Sequence, residues 1–360
     1  MHRPRVRSVL DELATYQPGP AVRGTSVHSH LLEGNESPDD PPPGVVEAVA
    51  AATATANRYP DFHGTALIRE LAELYQVSTD RIALGAGSVA LLQMLCQAIA
   101  EPEAEVVHAW RSFELYPVLT DLAGVRTRRV PLVNEVHDLR SMADQVNSRT
   151  RLVIVCNPNN PTGTVVHSAE FEDFLDRVPS DCLVAVDEAY REYVRDPQAP
   201  DGLTLCRDRP NVVVLRTFSK AYGIAGLRVG YLIGDPYVVS RLRTACLAFS
   251  VSTPAQAAAT AALRARDVVC ERVDAIVAER VRMRTTLLDD GWEVPPSEAN
   301  FLWLRLDGGS TAFGQWCDER GIGVRVFPDE GVRVSVGSRE SNDAFLAAAV
   351  AWRASSLLLS

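Results

Sequence analysis

Four short segments of this 360-residue chain carry residue types that could do chemistry together. The first is Thr217-Phe218-Ser219-Lys220-Ala221-Tyr222-Gly223, with Arg228 eight positions after the lysine. A β-branched and apolar run, Val212 to Leu215, leads into it and reads as a buried strand. The lysine therefore emerges where a strand meets a loop. A lysine that leaves the core beside a second cation should have a lowered pKa and can act as an amine nucleophile. That suits a Schiff base to a phosphorylated aldehyde cofactor. A surface lysine is the plainer reading of Ser-Lys alone, and the other segments weigh against it. Asn157-Pro158-Asn159-Asn160-Pro161-Thr162-Gly163 follows the apolar run Leu152 to Cys156. Asp187-Glu188-Ala189-Tyr190 follows Leu183 to Val186, and Gly85-Ala86-Gly87-Ser88 opens a helix expected to run to about Ala100. A further arginine, Arg333, lies in the strand-like stretch Gly331 to Gly337.

The elements that must position these residues alternate along the chain. Helices are expected near Thr65–Gln76, Ser88–Ala100, Phe113–Ala123, Asp138–Val146 and Ala169–Val178. Strands are expected near Ile82–Leu84, Glu105–Ala109, Thr127–Val130, Leu152–Cys156, Leu183–Val186, Val212–Leu215 and Val229–Ile233. Such alternation implies an α/β fold, a mostly parallel seven-stranded sheet between helices. Ligands of these sheets bind beyond the carboxyl ends of the strands, which would gather Asn160, Asp187 and Lys220 at one edge. The character changes near Ser252-Thr253-Pro254. Helical stretches to about Arg266 and from Asp267 to Asp290 precede strands at Phe301–Leu306 and Val332–Val336, with a helix near Thr311–Arg320 between them. A final helix is expected from about Asn342. The organisation predicted is an arm over 1–43, a large domain over 44–250 and a smaller α+β domain over 251–360. Asp39-Asp40-Pro41-Pro42-Pro43 makes an extended approach to a helix near Gly44.

Composition excludes several classes. The chain is 46% hydrophobic and 23% charged, an ordinary globular balance. Its net charge of -10 has no basic stripe, which disfavours nucleic acids and anionic membranes as partners. Seven scattered cysteines form no Cys-x-x-Cys pair and suggest reduced thiols in a cytoplasmic protein, with neither a disulfide frame nor a metal site. Val9 and Leu10 run straight into Asp11 and Glu12, so no secretion signal is read there.

With these motifs in hand, the chain resembles the fold-type I pyridoxal-phosphate aminotransferases, in the histidinol-phosphate aminotransferase branch. More narrowly it is similar to the actinobacterial aromatic (phenylalanine) aminotransferases. The resemblance runs from about Tyr16 to Leu346 in family order. It implies pyridoxal 5'-phosphate as cofactor, Lys220 as the Schiff-base lysine and acid–base catalyst, and Asp187 as the carboxylate beside the ring nitrogen. Asn160 and Tyr190 would donate to the cofactor's phenolic oxygen. Ala86, Gly87, Ser88, Thr217, Ser219 and Arg228 would hold the phosphate, and Phe113 would stack on the ring. Tyr59 matches a tyrosine that reaches the phosphate from a partner subunit, which implies a homodimer with shared sites. Arg333 would grip the substrate carboxylate, with Asn35, Asn300 and the arm residue Tyr16 lining the same pocket. The expected reaction is ping-pong transfer between an aromatic or imidazole-type amino compound and 2-oxoglutarate. Histidinol phosphate, a specialised biosynthetic amine and decarboxylation remain alternatives. The arm departs from the family after Pro38, where Asp39 to Pro43 replaces the usual Phe-Gly.

Overall fold

The structure is a computed structural model and describes residues 7–13 and 29–357. Its twelve strands are β1 (His30–Leu31), β2 (Ile82–Gly85), β3 (Glu105–Trp110), β4 (Arg126–Pro131), β5 (Thr150–Cys156), β6 (Leu183–Asp187), β7 (Val212–Thr217), β8 (Gly230–Ile233), β9 (Phe301–Arg305), β10 (Ile322–Gly323), β11 (Arg325–Phe327) and β12 (Gly331–Ser335). Strands β2 to β8 form a seven-stranded sheet in the order β2-β8-β7-β6-β5-β3-β4. Every pairing in it is parallel except the two made by β8.

Alternate residues on the buried strands belong to two separate cores, as a two-residue period requires. Val153, Val155, Val184, Val186, Val212 and Val214 pack on one side of the sheet. Leu152, Ile154, Cys156, Ala185, Val213 and Leu215 pack on the other. Helices Ser88–Ala98 and Leu115–Ala123 cover this second face with Leu91, Leu92, Leu95, Tyr116 and Leu119. Strand β4 lies at the edge and is mostly exposed; its Arg126, Arg128 and Arg129 keep that edge charged.

Strands β11, β12 and β9 form an antiparallel sheet, and β1 pairs with β10. The Ser335 N–H donates to the Leu32 carbonyl at 2.7 Å, so the chain after β1 runs beside β12. That contact carries Glu33 to Glu36 to the mouth of the seven-stranded sheet.

Several elements differ from the sequence expectation. The helix expected from Phe113 starts at Leu115, with Phe113 and Glu114 in the turn before it. The last helix begins at Arg339, ahead of Asn342. A helix at Pro236–Ala245 was not expected, although Asp235 caps it by accepting from the Tyr237 N–H at 2.8 Å and proline occupies its first turn. Strand β11 was missed because three residues are too few to show a period.

Candidate active site

The carboxyl ends of β5, β6 and β7 lie at one edge of the sheet. Cys156 pairs with Asp187, and Asp187 with Leu215, so the loops after these strands open together. A cavity of about 560 Å³ lies there. Lys220, Asp187, Tyr190, Asn160, Phe113, Ser88, Thr217, Ser219, Arg228, Arg333 and Asn35 all line it. Sequence reasoning had singled out each of these.

Strand parity decides which way Asp187 faces. It is two residues beyond Ala185 and shares that residue's side of the sheet, where Tyr116 and Cys156 lie. Asp187 is 3% exposed. Its Oδ2 accepts from the Tyr116 hydroxyl at 2.7 Å, while its Oδ1 is buried with no protein partner. Burial raises its pKa to about 6, against the opposing effect of the Tyr116 hydrogen bond.

Lys220 is half-buried and its Nζ donates to the Gly34 carbonyl at 3.1 Å. Burial lowers its pKa to about 7, helped by the charge of Arg333 and opposed by Glu36. Arg228, the cation that the sequence set beside it, contributes less than Arg333. Tertiary folding brings the stronger neighbour from 113 residues away.

Asn160 and Tyr190 are each left with a donor to give. Arginine donates and never accepts, so the Asn160 atom 2.6 Å from Arg333 Nη1 is its oxygen, and its NH2 group remains. The Tyr190 oxygen accepts from Asn35 Nδ2 at 3.0 Å, and its own O–H remains. Burial raises the Tyr190 pKa and keeps it a neutral donor. Asn35 is itself fixed by Ser335, which donates to its Oδ1 at 3.0 Å. Asn300 does not line the cavity; its Nδ2 donates to the Asn35 carbonyl at 3.1 Å and supports Asn35 from behind.

The end of the cavity near β2 suits an anion. Helix Ser88–Ala98 begins there with its free N–H groups after Gly87, whose φ of 82° favours glycine. A Cβ at Gly87 would lie 2.5 Å from Arg228 Nη2, and one at Gly230 would lie 2.7 Å from the Ser88 nitrogen. At Gly230 a side chain would meet backbone, and at Gly87 it would displace the Arg228 guanidinium and sit in a strained backbone conformation. Ser219 Oγ accepts from Thr217 Oγ1 at 3.0 Å and from Arg228 Nη1 at 3.2 Å, which leaves its own O–H to donate. Ala86 and Gly87, also expected at the phosphate, do not line the cavity; they lead into Ser88, which does.

Two expected residues stand apart. Tyr59 is 82% exposed and stacks on Phe249 at 4.6 Å, away from the cavity of its own chain. Tyr16 lies outside the described residues. Sequence reasoning missed the Glu114–Arg325 ion pair at the cavity wall, 2.9 Å long. It also assigned no role to Tyr116. The signal for Tyr116 was its spacing of three from Phe113 at a helix start, which puts both on one side of the turn.

These residues fit pyridoxal 5'-phosphate. The orphaned Asp187 Oδ1 needs an N–H, two donors await an oxyanion, a glycine-lined helix start awaits a phosphate and a depressed amine awaits an aldehyde. Residues 30–348 match the family model described as aminotransferase class I and II, and the chain belongs to that pyridoxal-phosphate-dependent family. It is 55% identical over 346 residues to an aromatic amino acid aminotransferase of Thermobifida fusca, covering 96% of each chain. It is 52% identical over 344 residues to one of Streptomyces coelicolor, covering 95% of this chain and 96% of the other. Among solved structures, histidinol-phosphate aminotransferase from Sinorhizobium meliloti in complex with pyridoxal-5'-phosphate superposes with a TM-score of 0.88 at 26% identity, covering 97% of both chains.

Proposed function

We propose that this aminotransferase moves an amino group between an aromatic or imidazole-type amino compound and 2-oxoglutarate in two alternating half-reactions. The observation that carries the reading is that Lys220, Asp187 and Arg333 line one cavity. The aromatic preference rests on the relatives above, which share half or more of their residues with this chain along nearly its full length.

When bound, pyridoxal phosphate supplies an electron sink that acidifies the α-hydrogen of the attached amino acid. The rest is done by this chain. Asp187 Oδ1 would accept from a ring N–H and favour the cationic form of that nitrogen. Asn160 and Tyr190 would donate to the phenolic oxygen, and Phe113 would cover one ring face. Arg333 holds the substrate carboxylate in its planar fork. Lys220 would hold the cofactor through its amine, and the same uncharged amine is placed to take and return the proton at the substrate α-carbon.

The same reading makes the protein a homodimer in which Tyr59 reaches the partner's phosphate site. Its support is a tyrosine exposed together with Phe62 and Phe249. It also takes residues 1–43, 44–250 and 251–360 as arm, large domain and small domain. A cytoplasmic location fits buried single thiols such as Cys96, Cys156 and Cys317.

The deciding experiment presents the loaded enzyme with phenylalanine, tyrosine, histidinol phosphate and glutamate separately and follows cofactor absorbance through one turnover. The expected result is complete conversion by the aromatic amino acids and glutamate. Conversion by histidinol phosphate alone would overturn the aromatic reading.

A further inference from the structure

The two oxygens of Asp187 have different neighbours. Oδ2 accepts from Tyr116, and Oδ1 has no protein partner although it is buried. We propose that Tyr116 is a positioning residue for the cofactor, its hydroxyl locking Asp187 so that Oδ1 alone is presented to the protonated ring nitrogen. The proposal rests on the reading of Asp187 as the ring-nitrogen partner and adds the residue that orients it.

The placement of Tyr116 suits that work. It is 0% exposed, enclosed by its neighbours. Its ring packs edge-on against Phe113 at 5.5 Å and against His108 at 5.6 Å. The Tyr116 N–H donates to the Phe113 carbonyl at 3.0 Å, so one turn carries both the expected stacking ring and this hydroxyl. A shift of that turn would move the ring face and the carboxylate together. Burial, followed by the nearby Asp187, pushes the Tyr116 pKa up, so the hydroxyl stays protonated and donates. A donated hydrogen bond favours the ionised carboxylate.

The Ala189 N–H also lowers the Asp187 pKa by a hydrogen bond, less than Tyr116 does, and the remaining groups facing Asp187 do not replace this donor. Cys156, its register partner on β5, has its pKa pushed up to about 12 by burial and remains a neutral thiol. Glu188 follows in the chain and its charge opposes ionisation of Asp187, but its carboxylate is tied to Arg216 at 2.9 Å. Tyr190 is neutral and bonded to Asn35. His108, behind Tyr116, is held neutral by burial with a pKa of about 4.

The test measures pyridoxal-phosphate binding to cofactor-free full-length protein between about pH 5 and pH 8, where Asp187 ionises and Lys220 deprotonates; the Lys220 contribution is common to variant and parent, so the difference between them reads Asp187. In Tyr116→Phe the carboxylate loses a donor, its pKa rises, and a larger share is protonated at low pH. The expected result is about tenfold weaker binding near pH 6, shrinking toward pH 8, with the acid midpoint moved upward. In an Asp187→Asn background the same change should have no further effect on the midpoint, because the two act as one unit. An unmoved midpoint in folded Tyr116→Phe, or equal effects in both backgrounds, would overturn the proposal. Near-normal binding and turnover in Asp187→Asn alone would instead remove Asp187 from its role. Should Tyr116→Phe not fold, 3-fluorotyrosine at this position keeps the shape and strengthens the donor. The midpoint must then move down, and a fixed midpoint again refutes the idea.

Discussion

Arg333 and Asn160 meet at the cavity wall, with the arginine Nη1 2.6 Å from the asparagine Oδ1. One comes from β12 of the antiparallel sheet, the other from the loop after β5 of the parallel sheet. The expected substrate grip and the expected cofactor donor therefore share a hydrogen bond, and each fixes the other's orientation. Arg333 Nη2 also donates to the Glu33 carbonyl at 2.5 Å. Arg333→Lys keeps the charge but loses the fork. It should raise KM for both amino acid and keto acid by about tenfold to a hundredfold, with a smaller change in kcat. Steady-state kinetics with both substrates checks this, and an effect on one substrate alone would contradict a common carboxylate grip.

Cofactor loading should depend on pH in a defined way. Lys220 reacts as the free amine and has a pKa of about 7, and Asp187 is ionised above about 6. Raising the pH through these values deprotonates both groups, and both changes favour loading. The loading rate of cofactor-free protein should rise between about pH 6 and pH 8 and then level off. A lysine at its ordinary value of 10.5 would keep the rate rising far beyond that. Stopped-flow absorbance reads the profile. Lys220→Ala should lack the visible band and lose turnover by about a thousandfold or more.

Glu114 and Arg325 bear on substrate charge. The pair is partly buried and lines the cavity beside Phe113. Glu114→Gln removes a negative charge from an arginine at the wall and makes the local field more positive. KM should fall several-fold for glutamate and 2-oxoglutarate relative to phenylalanine. The ratio of kcat/KM values for the two donors measures it.

A separate prediction concerns stability. Glu188 is 1% exposed, accepts from Arg216 Nε at 2.9 Å and accepts from the Gly202 N–H at 2.7 Å. Arg216 is 5% exposed, with Asp201 as a second partner at 2.8 Å. Glu188→Ala leaves the buried guanidinium with Asp201 as its remaining carboxylate and should cost about 3 kcal/mol. Denaturant unfolding of cofactor-free protein gives the number.

The shared-site reading can be tested by mixing subunits. Tyr59→Phe should weaken cofactor binding about tenfold if its hydroxyl reaches a phosphate. A hybrid with Lys220→Ala subunits joins an intact Tyr59 to an intact Lys220 in half of the sites. Tight binding should return in that half. No recovery would leave Tyr59 as a surface aromatic.

Much of this architecture was readable in advance because its signals are local. Apolar runs ending in Asp187, Asn157 and Thr217, and glycines opening a helix at Ser88, mark strand ends and a phosphate-type turn within a few residues. A parallel sheet must bring such ends to one edge, so the gathering of Lys220, Asp187 and Asn160 followed from pattern alone. Other features depended on contacts between distant segments. Which oxygen of Asp187 is left unpaired was decided by Tyr116 from another element. That Arg333 outweighs Arg228 beside Lys220 was decided by the antiparallel sheet packing over the cavity. The pairing of Glu114 with Arg325 spans 211 residues and has no local trace. Period and turn chemistry report what a segment does by itself. Side-chain direction, desolvation and charge neighbours are set by packing, which exists only once the chain has closed on itself.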